Sequence, residues 1–407
     1  MAGWKTKSLG EVLLRTQTFN PALAPDDEFD YIDVSSVSNL TFKVESTQRL
    51  LGKDAPSRAR RRVRAGDVLL ATIRPTLKRI AIVPVELDGQ VCSTGYFVLR
   101  AGSEIDPTFL FYLLFTSRFM DAMEALQKGA SYPAVTDAEV RAQPVNYPPT
   151  AEQQRIVAIL DEAFAGIATA NANAEKNLRN CREWAERQLA TVLDEASKTE
   201  EARTLDSLVA PSCSLSYGIV QPGDEVATGL PVVRPVDLGS KIVRVDGLKR
   251  IDPALARSYA RTTLEGGDLL LCVRGTTGKV AVAALALAGA NVTRGIVPIR
   301  FDPKFISQAL GYYLLRSAPF QIQIRAKTYG TALMQINIGD LRKIVVRIPP
   351  ISHQATVVAQ LNAVQEAADQ LADIYERKLA ALDELKKSLL HQAFTGALAG
   401  SASGGAE

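Results

Sequence analysis

Histidine is almost missing from this chain: there are two in 407 residues, His353 and His391. Neither stands near a cysteine or carboxylate cluster at metal-ligand spacing, so both read as surface or helix-end residues, and no metal site is expected. Cysteine is scarce too. Cys92, Cys181, Cys213 and Cys272 are widely separated and form no C-x-x-C pair. That excludes a zinc or disulfide framework and suits buried or free thiols of a reducing compartment. No stretch approaches the roughly 18 apolar residues of a transmembrane helix. The first residues, "MAGWKTKSLGEVLL", lack an apolar run of signal-peptide length. The expectation is a cytoplasmic protein with no membrane partner. G-x-S-x-G, H-E-x-x-H and D-F-G sets are absent, which leaves no recognisable catalytic constellation. The net charge of +3 is small, so what matters is where the charge sits.

What the chain does have is a repeat. "YPPTAEQQRIVAIL" (147–160) answers "IPPISHQATVVAQL" (348–361), with six of fourteen positions identical at an offset of 201. The correspondence extends in both directions. "AGDVLLATIRPTLKRIAIV" (65–83) answers "GGDLLLCVRGTTGKVAV" (266–282), "FYLLFTSRF" (111–119) answers "YYLLRSAPF" (312–320), and "GASYPAV" (129–135) answers "GTALMQI" (330–336). Each copy is long enough for a core of its own, so this is a duplication and not a solenoid.

Each copy has two textures. Its first 150 or so residues hold short β-type runs (68–73, 80–83, 97–100; 269–273, 279–282) punctuated by Gly, Pro and Asp. A helix-like apolar segment follows (107–123; 305–325), opened in each copy by Asp-Pro. After the Pro-Pro the period changes. Ile156, Leu160, Phe164, Ile167, Ala170, Ala174, Leu178, Cys181, Ala185, Leu189 and Val192 recur at steps of three and four. Val357, Leu361, Val364, Ala368, Leu371, Tyr375, Leu379, Leu382, Leu385 and Leu389 do the same. Such stripes predict two long amphipathic helices, with Thr150 and Ser352 placed as N-caps. The fold class is therefore α+β: two tandem-duplicated units, mixed β with helices, separated by two long helices. The stripes can bury each other as an antiparallel coiled coil, giving an approximate twofold. Alternatively each helix folds back on its own unit, or both serve an oligomer.

Two stretches imitate catalytic motifs. "RGTTGKVA" (274–281) ends like a phosphate-binding loop, but Val273 stands where the first Gly belongs and Val280 where Ser or Thr would hold a metal. A basic turn between strands fits better. "NYPP" (146–149) has the letters of an amino-methyltransferase motif rearranged, and its second copy, "RIPP", lacks the Asn. Both Pro-Pro pairs read as stiff exits from a globular unit.

The basic residues suggest phosphate and base contacts. "SRARRRVR" (57–64) gathers Arg58, Arg60, Arg61, Arg62 and Arg64 without a neighbouring acid, as an exposed hairpin or loop would. Arg74, Lys78 and Arg79 follow, with Arg274, Thr276, Thr277 and Lys279 at the corresponding place in the second copy. The Gly-led loops add Lys128, Ser131 and Tyr132 in one copy and Lys327, Tyr329 and Thr331 in the other, and Arg294 completes the set. Loop packing alone would explain the Gly-led loops about as well.

Alternating units and helices, "GDVLL" and "GDLLL", Pro-Pro before "AEQQRIV" and "SHQATVV", and a C-terminal "LKKSLLHQAFTGAL" (385–398) together resemble the specificity subunit of type I DNA restriction-modification systems. The resemblance covers residues 5 to about 398. It implies target recognition domains at 1–149 and 201–350, spacer helices at 150–200 and 351–398, and a disordered tail at 399–407. Each domain would read one half of a bipartite, asymmetric site on double-stranded DNA, with the helices fixing the spacer. Two methyltransferase subunits bringing S-adenosylmethionine, and restriction or translocase subunits using Mg2+ and ATP, would assemble around a chain that itself holds no cofactor and does no chemistry. One departure is visible: the first long helix ends in "DEASKTEEAR" (194–203), less apolar than its partner. A non-catalytic coiled-coil adaptor for proteins is the alternative of a different class. A self-sufficient methyltransferase is disfavoured by the missing donor loop.

Overall fold

The apolar runs "VLLA" and "LLLC" become the strands Val68–Ala71 and Leu269–Cys272, buried on both faces. Such continuous hydrophobicity is what a strand between two layers requires. Val68 and Leu70 face a helical layer that includes Phe109 and Leu110, while Leu69 and Ala71 face Ile32, Val37 and Tyr96. The structure, a computed structural model, describes residues 3–129, 132–330 and 334–399. It divides into two compact units, one built from 1–174 with 377–407 and the other from 175–376.

In the first unit, one antiparallel sheet runs Leu13–Leu14, Tyr96–Ala101, Val68–Ala71, Ile80–Ile82, with Leu70 opposite Phe97 and Ile80. A second runs Gln48–Leu51, Glu28–Ile32, Val91–Ser93, Ala59–Arg62 and includes one parallel pair. Lys5–Ser8 pairs with Pro144–Tyr147, which leads into the Pro-Pro. The second unit repeats the plan with Leu269–Cys272 between Val280–Ala283 and Ile296–Ile299, a Lys249–Ile251, Leu230–Val233, Asn291–Val292 sheet, and Arg203–Thr204 on Val345–Val346. At the place of Ala59–Arg62 it has a 3-10 helix, Arg257–Thr262.

The "GD" of each copy holds its sheets together. Asp67 accepts a two-pronged hydrogen bond from Arg100, at 2.8 and 2.6 Å, and Asp268 accepts from Arg300 at 2.6 Å. Both carboxylates are buried, and each also accepts the backbone N–H three residues earlier, from Arg64 and Glu265. A buried charge is tolerable only with this degree of pairing.

The single helical segments expected at 107–123 and 305–325 are each two helices, Pro107–Leu113 with Ser117–Leu126, and Gln308–Arg316 with Ala318–Lys327. Thr116 ends the first by capping the second, its Oγ accepting from Phe119 N. Asp106 with Pro107 does open a helix, its carboxylate accepting from Thr108 N and Phe109 N. In the second copy Ser307 takes that role, and Asp302-Pro303 lies upstream.

The long helices span Thr150–Ser197 and Ile351–Thr395. Thr150 and Ser352 are already inside them, so the caps expected there are not made at the boundary. Each boundary is held instead by a glutamine. Within the first unit, Ile156 and Leu160 cluster with Leu390 and Ala393. Within the second, Leu193 clusters with Val357 and Leu361, and Cys181 and Ala185 with Ala368. In both units the start of one helix meets the end of the other, so the pairing is antiparallel, and each start also packs on its own globular part. Leu193 rather than Val192 is the buried apolar residue near the end of the first helix, and Leu371 and Leu385 on the predicted stripe are exposed. The 399–407 tail lies essentially outside the described residues. Among those described, no helix is long and apolar enough to cross a membrane.

Candidate nucleic-acid interface

In each unit the hairpin turn after the GD strand lies against the Gly-led loop, held there by backbone hydrogen bonds. Arg74 N donates to Pro133 O at 2.7 Å and Val135 N to Thr72 O at 3.0 Å. Gly275 N donates to Met334 O at 2.8 Å and Ile336 N to Val273 O at 3.0 Å. The loops close on themselves, with Lys128 paired to Ala134 and Tyr329 to Gln335. Ser131 and Thr331 lie outside the described residues.

This ladder corrects the alignment of the two turns. Arg274 is the counterpart of Ile73, and Arg74 is the counterpart of Gly275. Arg79 and Lys279 do correspond, each giving its carbonyl to the strand before the turn, to Ala71 N and Cys272 N. The second turn is one residue shorter, which shifts the offset from 201 to 200 inside it. Gly275 and Gly278 have φ of 83° and 89°, and Arg74 and Lys78 have φ of 50° and 54°. The glycines of "RGTTGK" therefore supply left-handed turn positions and not a phosphate cradle, and a strand follows them instead of the helix that a nucleotide loop needs. Thr276 is exposed and Thr277 half-buried between them.

Arg74 and Lys78 are exposed, and the Arg74 guanidinium stands over the Tyr132 ring, 5.2 Å from its centroid. Tyr132 is itself 72% exposed. Arg79 turns inward and donates to Val37 O at 2.6 Å, fixing the neighbouring loop. Lys128 pairs with Glu139 at 2.7 Å, and this ammonium, with Thr136 N–H and O–H, holds the Glu139 carboxyl down at about 2. In the second unit Tyr329 is exposed, donates to Asn337 and receives Gln335 Nε2 at 3.1 Å. Arg294 is exposed next to the Asn291–Val292 strand, and Lys327 ends its helix half-buried.

The arginine run is an edge strand, Ala59–Arg62, and not a hairpin or loop. Arg60 donates to Asn20 Oδ1 at 2.6 Å, Arg61 pairs with Asp137 at 2.7 Å, and Arg62 lies over Phe19. The balancing acid missing from the local sequence comes from Asp137, far along the chain. Arg58 and Arg64 are the exposed members.

Two residue groups escaped the sequence reading. Arg261 corresponds to Arg60, since Leu264 N meets Ala290 O as Val63 N meets Gln90 O; it and Arg257 are exposed. An alignment forced through the turn of each copy would have found Arg261. Tyr217 donates to Ile336 O at 2.8 Å. Burial raises its hydroxyl pKa, with Tyr329 acting in the same direction and Arg294 and Arg274 opposing. Nothing in the local sequence signals that. All four cysteines are buried, and burial pushes the Cys92 thiol up to about 12. Among the described residues no cluster of His, Cys, Asp and Glu is placed to hold a metal.

Duplicated α+β units, each setting a turn against a Gly-led loop and each rooted in a long helix, define a tandem-duplicated α+β protein. The family model for the type I restriction modification DNA specificity domain matches residues 1–178. The Escherichia coli EcoBI specificity subunit is 24% identical over 273 residues, 62% of this chain and 57% of that one. The Haemophilus influenzae HindI specificity subunit is 30% identical over 164 residues, 39% of this chain and 35% of that one. The matches thus span under two thirds of these relatives' own length. Among solved structures, the HsdS subunit from Thermoanaerobacter tengcongensis shares 29% identity over 97% of both chains, with a TM-score of 0.63. A chain from a structure described as showing complex assembly and conformational transition of the type I R-M system shares 29% over 97% of this chain and 98% of that one, with a TM-score of 0.83. By these matches the chain is similar to the specificity subunits of type I restriction-modification systems.

Proposed function

We propose that this chain is the DNA-reading, non-catalytic subunit of a type I restriction-modification complex, each unit reading one half of a bipartite, asymmetric site on double-stranded DNA. The observation that supports this most is the duplicated turn-and-loop cluster, built on equivalent backbone hydrogen bonds in both units. Exposed basic groups surround it in each. Loops on a rigid sheet scaffold are where recognition residues are best placed. The long helices set the spacer and dock two methyltransferase subunits, with restriction or translocase subunits joining that core. On this reading S-adenosylmethionine, Mg2+ and ATP belong to those partners, and the chemistry is adenine methylation and endonuclease action in their sites.

The test begins with methylome sequencing of the host with and without the gene, which reveals the site. A gel shift then compares that duplex with a scrambled one, using this chain assembled with its methyltransferase partner. Far tighter binding to the bipartite duplex is expected. Equal binding to both, or none to either, would defeat the reading.

A further inference from the structure

The two turns differ in one respect that their shared backbone makes telling. At both left-handed positions the second unit has glycine, Gly275 and Gly278, while the first has Arg74 and Lys78. A side chain in that conformation is strained by its own Cβ, at roughly 1–2 kcal/mol for a non-glycine residue. Glycine would sit there without strain, as the second unit demonstrates. What the first unit keeps by tolerating the strain is the side chain, so the side chain has a use.

That use is not a phosphate clamp common to both units, because Gly275 projects nothing from the same position. It answers to what distinguishes the two half-sites, namely their sequences. Arg74 is also tightly positioned. Its N–H is fixed to Pro133 O at 2.7 Å, buried Pro75 follows it, and its guanidinium carbon lies over the exposed Tyr132 ring, 5.2 Å from the centroid. A guanidinium placed over an aromatic face is partly pre-positioned, and its planar fork suits two parallel hydrogen bonds to O6 and N7 of guanine. Lys78, a point charge on a flexible stem, suits a phosphate contact made by the first unit alone, since Gly278 stands at its counterpart.

We propose that Arg74, backed by Tyr132, reads a guanine in the half-site of the first unit. This rests on the DNA-reading function proposed above. The test uses the full chain with its methyltransferase partners on a library of duplexes varied through both half-sites. Arg74→Gly should melt no lower than the wild type, since it adopts the second unit's backbone without strain. Its preference for guanine at one position should fall by roughly 10–100-fold, with the other half-site unchanged. Arg74→Lys, which keeps the charge and loses the fork, should lose the same preference. Lys78→Gly should weaken binding to all sequences alike and lower the salt slope by about one. An unchanged motif in Arg74→Gly, a uniform loss across all sequences, or full retention in Arg74→Lys overturns the proposal. A wild-type complex with no bipartite preference defeats the broader DNA-reading function, and this assignment with it.

Discussion

Gln153 and Gln354 are the residues on which each long helix is mounted. Gln153 Nε2 donates to Glu104 O and Pro148 O, both at 2.8 Å, and its Oε1 accepts Asp106 N at 2.8 Å. Gln354 does the same with Phe305 O, Pro349 O and Ser307 N, at 2.8, 3.0 and 2.8 Å. Both side chains are fully buried. Leucine fills nearly the same volume and can make none of these bonds, so Gln153→Leu leaves three backbone groups without their partner. Each such loss is worth about 1–3 kcal/mol, partly relieved by water where the groups are only half-buried. The expected destabilisation is about 2–4 kcal/mol, read by denaturant unfolding. A change below about 0.5 kcal/mol, the size of an ordinary surface substitution, would show that the glutamine does not hold the joint. In the sequence this residue was one of six matching letters, visible as repeated but silent about its bonds, because every partner lies in a loop or a preceding turn.

At the scale of elements, the strand pair that precedes the first Pro-Pro is tied by Glu104. Its Oε1 accepts Lys7 Nζ at 2.6 Å and its Oε2 accepts Tyr147 OH at 2.7 Å. These bonds, Lys7 first and then Tyr147, hold its carboxyl at about 2, against 4.5 for the ordinary group. Between those values the unfolded chain binds the proton that the folded protein does not. The contribution is therefore complete above about pH 4.5 and is lost as the pH falls toward about 2. Glu104→Gln should lower the melting temperature most near neutral pH, and the gap to the wild type should close below pH 4.5. An equal gap at pH 3 and pH 7 would assign the effect to packing alone. Elements themselves were largely legible, since two-faced burial writes "VLLA" and "LLLC" as unbroken apolar runs and helix pairing writes a three-four stripe. Their exact ends were not. A hydroxyl at Thr116 splits one helix into two, and a one-residue difference between the turns displaced Arg274 onto the wrong partner. The arginine run misled for a related reason, because Asp137 neutralises Arg61 only once the chain has folded.

At the scale of the whole molecule, duplication was plain in the sequence, as was the alternation of globular and helical parts. What the sequence could not supply was the interface, where side chains from turn, loop and edge strand meet through contacts tens of residues apart. The spacer role proposed for the long helices makes a prediction at this scale. Inserting seven residues at facing positions in both helices, inside 156–192 and its counterpart, adds about 10 Å of helix, roughly three base pairs. The preferred spacer should lengthen while both half-sites stay the same, as read by methylome sequencing. Altered half-sites with an unchanged spacer would reject the role.

The glutamine mounting has one more consequence. All six of its bonds go to peptide N–H and C=O groups, which every sequence possesses, and none to a side chain. The mounting is therefore indifferent to which residues its globular unit displays, as a socket is to the tool it holds. A foreign unit with the same backbone at these three points could keep the glutamine's bonds, and its fit would then be decided by the side chains it sets against Ile156 and Leu160.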